Sequence, residues 1–104
     1  MAPAVKPDPR WHIVSVVGPF EDDNHTHRLD LVRGEGDLAE HACVDVAAWE
    51  DRRGDDRLEV LGEWPVGDAL GREAADALRG ECEQTLSYAI QMGQAYTLSS
   101  RRAA

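Results

Sequence analysis

Long apolar runs are missing from this 104-residue chain, and positive charge is scarce. No stretch approaches the roughly 18 apolar residues that cross a bilayer, so the sequence predicts no membrane span. Pro3, Pro7 and Pro9 would interrupt a secretory signal helix, and we therefore expect a cytoplasmic protein. The lack of clustered Lys and Arg argues against binding to the phosphate backbone of nucleic acids.

Cysteine and aromatic residues are also few. Cys43 and Cys82 lie in apolar segments without the spacing of a disulfide framework, which favours two reduced, buried thiols. Trp11, Trp49 and Trp64 are half of the six aromatic residues. Large aromatic side chains usually pack in a core, so we expect Trp49 and Trp64 there. For Trp11, a core position and an exposed anchor for a partner both remain open.

Acidic residues dominate what is present. The chain has 20 Asp and Glu against 11 Lys and Arg, a formal charge of −9. The excess lies in residues 21–83, which hold 19 acids and seven arginines. This length, with 42% hydrophobic residues, predicts a single acidic domain. We expect a flexible arm over residues 1–10, the domain over 11–98 and a frayed tail over 99–104.

Three segments have the composition and alternation of β-strands. Residues 11–17 are rich in Trp, Ile and Val and end at a Gly-Pro pair, and residues 26–33 alternate apolar and polar side chains. The short polar loop between them favours an antiparallel pair. Residues 57–64 alternate in the same way and stop at Pro65, which predicts a third strand.

Residues 37–53 have two interpretations. Asp37 followed by Glu40 resembles a capping box, and apolar residues at helical spacing follow, with Gly54 at a plausible helix end. The alternative is a strand through residues 43–49, which places Asp45 on the same face as Cys43. We favour the helix here and keep the strand as the alternative.

The C-terminal third of the chain predicts one long helix that begins after Asp68 and carries an apolar stripe. The fold class is α+β: a small, mostly antiparallel sheet of three or four strands covered by this helix, in the order β-β-α-β-α or β-β-β-β-α. A helix of about 40 Å would overhang a sheet of about 25 Å, which predicts a homodimer. The expected dimer residues are Leu86, Ala89, Gly93 and Tyr96.

No nucleophile triad, phosphate-binding glycine loop or HExxH motif occurs, so we expect a non-enzymatic protein without a cofactor. The charge favours an acidic binding or regulatory module that recognises another macromolecule, a basic protein surface, and neither nucleic acid nor membrane. The expected partner-binding residues are Glu21, Asp22, Asp23, Asp55, Asp56, Glu59 and Glu63.

Two alternatives belong to other functional classes. The first is a small metal-binding protein, because imidazoles and a thiol at alternate strand positions can point the same way and bind zinc. Its ligands would be His25, His27, His41 and Cys43. The second is a small-molecule binder or enzyme with a pocket at a dimer junction, for which the acid–base groups would be His27, Asp30 and Asp45.

Overall fold

The computed structural model describes residues 10–21 and 26–99. Within them lie the strands β1 (His12–Val17), β2 (His27–Arg33), β3 (Glu40–Glu50), β4 (Asp56–Trp64) and β5 (Tyr96–Thr97), and the helices α1 (Ala69–Arg79) and α2 (Glu83–Gln91). The α+β class is confirmed, whereas the strand number and the element order differ from the prediction. Most of the predicted arm and tail lies outside the described residues, as do Asp22, Asp23 and His25.

The strands form one curled antiparallel sheet in the order β4-β3-β2-β1-β5. The first four strands are a meander, because each pairs with the strand that precedes it in the chain. The short β5 returns to the other side of β1, and the Leu98 amide then donates to the Trp11 carbonyl at 2.9 Å. No helix in the described part of the chain is long and apolar enough to cross a membrane.

The helix predicted over residues 37–53 was wrong, and the alternative strand is the better description. A single 3-10 turn covers Gly36–Leu38, and Glu40–Glu50 forms the strand β3. Its buried side chains alternate with partly exposed ones, and β2 and β4 satisfy its backbone on both edges. Non-local pairing therefore overrode the local capping-box signal. Leu38, an apolar residue that the helix would have buried, is 90% exposed.

The long C-terminal helix was also wrong, because it divides into α1 and α2. Gly80 is the C-cap of α1, and Cys82 is the N-cap of α2. The Glu81 carboxylate between them accepts hydrogen bonds from the Tyr96 hydroxyl and from the amide and hydroxyl of Ser99. The break allows both helices to pack over β3 and β4, so the predicted overhang does not occur.

The core lies between the helices and one face of the sheet. Leu29 of β2 lies beside Val44 of β3, and Leu31 lies beside Ala42, all on the face that α1 and α2 cover. The core also contains Trp11, Ile13, Val46, Ala48, Ala74, Ala75, Leu78, Leu86, Ile90 and Leu98. Because strand side chains alternate, every second residue of these strands points to the opposite face, away from both helices.

Candidate functional site

The side of the sheet that faces away from α1 and α2 is called the open face here. Two rows of side chains cross four strands on it. One row contains Ser15, Asp30, Cys43 and Trp64, and the next contains Val17, Arg28, Asp45 and Gly62. The antiparallel register therefore brings two carboxylates, a guanidinium, a thiol and an indole to the middle of one surface.

Arg28 links the centre of the open face. Its Nε lies 2.7 Å from Asp45 Oδ1, and a second guanidinium nitrogen lies 3.2 Å from Asp45 Oδ2, a two-point contact that raises the pKa of Arg28. The guanidinium carbon also lies 4.2 Å from the centroid of the Trp64 ring. Since Arg28 is on β2 and Trp64 on β4, the two side chains meet over β3, where this cation–π contact holds the indole.

Asp30 and Cys43 form the second polar pair. The Cys43 thiol donates to Asp30 Oδ1 at 3.0 Å across the β2–β3 ladder. Burial and the neighbouring carboxylate raise the pKa of the Cys43 thiol to about 11. The sulfur is therefore protonated at neutral pH and acts as a hydrogen-bond donor rather than as a nucleophile.

Two tryptophans expected in the core lie on the open face instead. Trp64 is 48% exposed and Trp49 is 42% exposed, whereas Trp11 is 3% exposed under the Arg33 guanidinium. The register explains the error, because Trp49 and Trp64 alternate with buried neighbours on strands whose inner positions hold smaller residues. The prediction for Trp49 and Trp64 was wrong, and Trp11 is the core residue.

The acidic residues predicted to bind a partner are not gathered on one surface. Glu59 lies on the open face opposite Ala47, and Asp55 and Asp56 lie at the β3–β4 turn. Glu21 is exposed after β1. The Glu63 carboxylate accepts a hydrogen bond from the Gly67 amide at 2.9 Å, and this bond lowers the pKa of Glu63.

The four ligands of the zinc alternative do not meet. His27 points into the buried face of the sheet, where its Nδ1 hydrogen-bonds with the Thr26 hydroxyl at 2.8 Å and burial lowers the pKa of His27. Cys43 and His41 point to the open face, and His25 lies outside the described residues. Across residues 10–21 and 26–99, no three His, Cys, Asp or Glu side chains are grouped to hold a metal ion. His27 and Cys43 cannot bind the same metal ion, because they lie on opposite faces of the sheet.

No family model, curated protein or solved structure matches this chain.

Of the acid–base groups proposed from the sequence, Asp30 and Asp45 do come together, while His27 lies on the other side of the sheet. Arg28 and Trp64 were missed as members of this cluster. The signal that points to them is the alternative strand through residues 43–49, since it puts Asp45 and Cys43 on one face. Pairing that strand with the alternating residues 26–33 would have placed Arg28 beside Asp45.

The expected dimer residues occupy different environments. Leu86 and Ala89 are buried under this chain's own sheet, so they cannot contact a second copy unless α2 unpacks. Gly93 is exposed with φ +67° after α2, and the Tyr96 hydroxyl donates to Glu81. Near Tyr96, a groove of about 570 Å³ lies beside the paired residues of β1 and β5. Its lining consists of His12, Ile13, Val14, Val32, Gly34, Ala95, Tyr96 and Thr97.

Proposed function

We propose that this protein is a non-enzymatic binding module that holds a basic, partly apolar segment of a partner protein on the open face of its sheet. The observation that carries the proposal is Trp64, a large indole at the end of the edge strand β4 that is 48% exposed and stacks on Arg28 over the open face. Tryptophan in such a position is typical of the anchor residues that dominate protein interfaces.

The apolar part of the surface supports a protein partner. Val17 on β1 and Trp49 near the end of β3, at 45% and 42% exposure, also lie on the open face, and Leu61 at 39% exposure occupies the β-bulge of β4. Several exposed apolar side chains on one face of a sheet are more typical of an interaction surface than a single one is. A partner that covers them gains the free energy of burying this apolar area.

The charged part of the surface favours a basic segment. Asp30, Asp45 and Glu59 contribute carboxylates, and the guanidinium of Arg28 is already engaged by Asp45. The chain as a whole carries −9, so its field attracts cations and repels acidic partners. The Asp30 carboxylate accepts from a thiol, which is a weak donor that an incoming guanidinium or ammonium group can displace.

Binding of a defined probe tests this function. We expect a short synthetic peptide that alternates arginine and leucine to bind the full chain, and a glutamate–leucine peptide of equal length not to bind. Fluorescence anisotropy of labelled peptides measures both, and the affinity for the basic peptide should fall as salt increases. Replacing Trp64→Ala should weaken binding by about tenfold or more, and Asp30→Asn should weaken it by a smaller factor.

Matched variants on the helical side provide the controls. Tyr88→Ala removes an aromatic residue that is 52% exposed on α2, and Asp76→Asn removes an exposed carboxylate from α1. Both should bind the basic peptide as the unmodified chain does. Equal binding by Trp64→Ala and the unmodified chain, or equal binding of both peptides, would contradict the proposal.

A further inference from the structure

One edge of the sheet remains open next to β5. That strand pairs with β1 only at His12 and Ile13, so residues 14–17 have no strand beside them on the side away from β2 within the described ranges. The sequence there is Val-Ser-Val-Val, without charge or proline. Open strand edges pair with other strands, and natural proteins usually block them with lysine, proline, a β-bulge or a covering element. Within residues 14–17 the bulge lies at Val14, which leaves residues 15–17 as regular strand.

The opposite edge, on β4, is blocked in this way. The Leu58 amide donates to the Glu83 carboxylate at 3.2 Å, and the Arg57 carbonyl accepts from the Ser87 hydroxyl at 2.6 Å. A guanidinium nitrogen of Arg79 lies 3.4 Å from the Val60 carbonyl. Side chains of both helices therefore occupy backbone groups of residues 57–60 that another strand would need, which makes β1 the more accessible edge.

We infer that a second copy of this chain pairs with β1, antiparallel, through residues 14–17. Two copies with charge −9 repel each other over most of their surfaces, and this uncharged segment is a place where they can approach. A strand that pairs antiparallel with itself across a twofold axis is self-complementary, as a closed dimer requires. The inference is independent of the open-face proposal, because it uses the strand edge.

The alternation of side chains limits the register. Val16 points to the helical face, whereas Ser15 and Val17 point to the open face, so residues on the same face must oppose each other. A twofold axis at Val16 satisfies this rule, with Ser15 opposite Val17 of the second copy. Val14 marks the end of this pairing, because the register between β1 and β2 shifts between Ile13 and Ser15.

Analytical ultracentrifugation of the full chain between about 1 µM and 1 mM, the range of weak association, tests the dimer. We expect a concentration-dependent dimer that Val14→Lys weakens about tenfold, since a charged side chain blocks an edge. Leu61→Lys, at a 39% exposed bulge position on β4, is the control and should leave association unchanged. A monomer at every concentration, or equal weakening by both variants, would overturn the inference.

Cross-linking tests the register separately. In a Cys82→Ser background, which removes the exposed thiol, Val16→Cys should form a disulfide with its own copy, because directly opposed strand residues lie within disulfide range. Leu61→Cys in the same background should not. Circular dichroism confirms that each variant is folded. Dimer formation without cross-linking at position 16 would refute pairing about Val16. The Val14→Lys variant should bind the arginine–leucine peptide as the unmodified chain does, because the peptide uses the open face and not the strand edge.

Discussion

Arg33 connects three parts of the domain through a single guanidinium. It hydrogen-bonds to Glu40 of β3 and in a two-point contact to Glu73 of α1, and it lies 4.5 Å from the ring centroid of buried Trp11. Its side chain is 13% exposed. Removing Arg33 leaves the partly buried Glu73 carboxylate without its partner, which costs more than losing an exposed ion pair.

We therefore expect Arg33→Ala to lower the free energy of unfolding by about 2–3 kcal/mol in urea titrations at neutral pH. Arg79→Ala, which breaks the exposed pair with Asp76, is the matched control and should cost less than about 1 kcal/mol. Similar losses for the two variants would contradict a special role of Arg33.

The same network predicts a dependence on pH. Arg33 holds the pKa of Glu73 below its ordinary value, so the folded state releases this proton at lower pH than the unfolded chain does. The stabilisation is therefore complete above the unfolded pKa and is lost as pH falls through the folded one. The difference in unfolding free energy between the unmodified chain and Arg33→Ala should shrink in acid, and a constant difference would contradict this assignment.

The two cysteines should differ in reactivity. Burial and Asp30 raise the pKa of Cys43, whereas the Thr85 hydroxyl and the Thr85 and Gln84 amides lower the pKa of the exposed Cys82 thiol. The thiolate is the reactive form, so Cys82 should be alkylated by iodoacetamide at pH 8 much faster than Cys43. Mass spectrometry of digested samples over time measures both rates, and equal rates would disprove the environment described for Cys43.

At the scale of elements, α1 lies unusually close to the sheet at its first turn. A Cβ on Gly71 would lie 2.7 Å from Glu63 Cβ and 3.3 Å from the Cys43 carbonyl oxygen. The Gly71 amide also donates to the N-cap Asp68 at 2.8 Å, which fixes the start of the helix. The absence of a side chain at this position is therefore what allows α1 to approach β3 and β4.

Gly71→Ala should consequently destabilise the fold, although alanine is the better helix former by about 1 kcal/mol. Overpacking against a Cβ and a backbone oxygen costs about 1–3 kcal/mol and outweighs that preference. Gly80→Ala, where the added carbon would meet only the Ala77 carbonyl oxygen at 3.4 Å, is the control and should be nearly neutral. Chemical denaturation compares the two, and a Gly71→Ala variant that is as stable as the unmodified chain would contradict close packing of α1.

Local sequence patterns predicted those strands for which the alternation of side chains matches the pairing seen in the sheet. The strands near residues 11–17, 26–33 and 57–64 follow from alternation and terminating Gly or Pro. The strand β3 could not be predicted in this way, because its short apolar segment fits both helical and strand spacing. Only pairing with β2 and β4 decides between the two. The division after α1 was signalled by Gly80, but the Glu81 contacts that stabilise it join residues 15 or more positions apart.

At the scale of the whole molecule, the α+β layering was predictable because an amphipathic sheet and amphipathic helices must cover each other. The candidate site was not, since it depends on register. A shift of β3 by one residue against β2 would move Cys43 and Asp45 to the buried face and away from Arg28 and Asp30. Composition indicated an acidic surface, whereas the strand ladder determines that an exposed indole and paired carboxylates share the open face.

Nuclear magnetic resonance of the ¹⁵N-labelled chain, titrated with the arginine–leucine peptide, tests most directly whether the open face is the binding surface. We expect the largest shifts at the indole N–H of Trp64 and at the amides of Arg28, Asp30 and Asp45, with the outer sides of α1 and α2 unaffected. Shifts concentrated on those helices, or none at saturating peptide, would contradict the account.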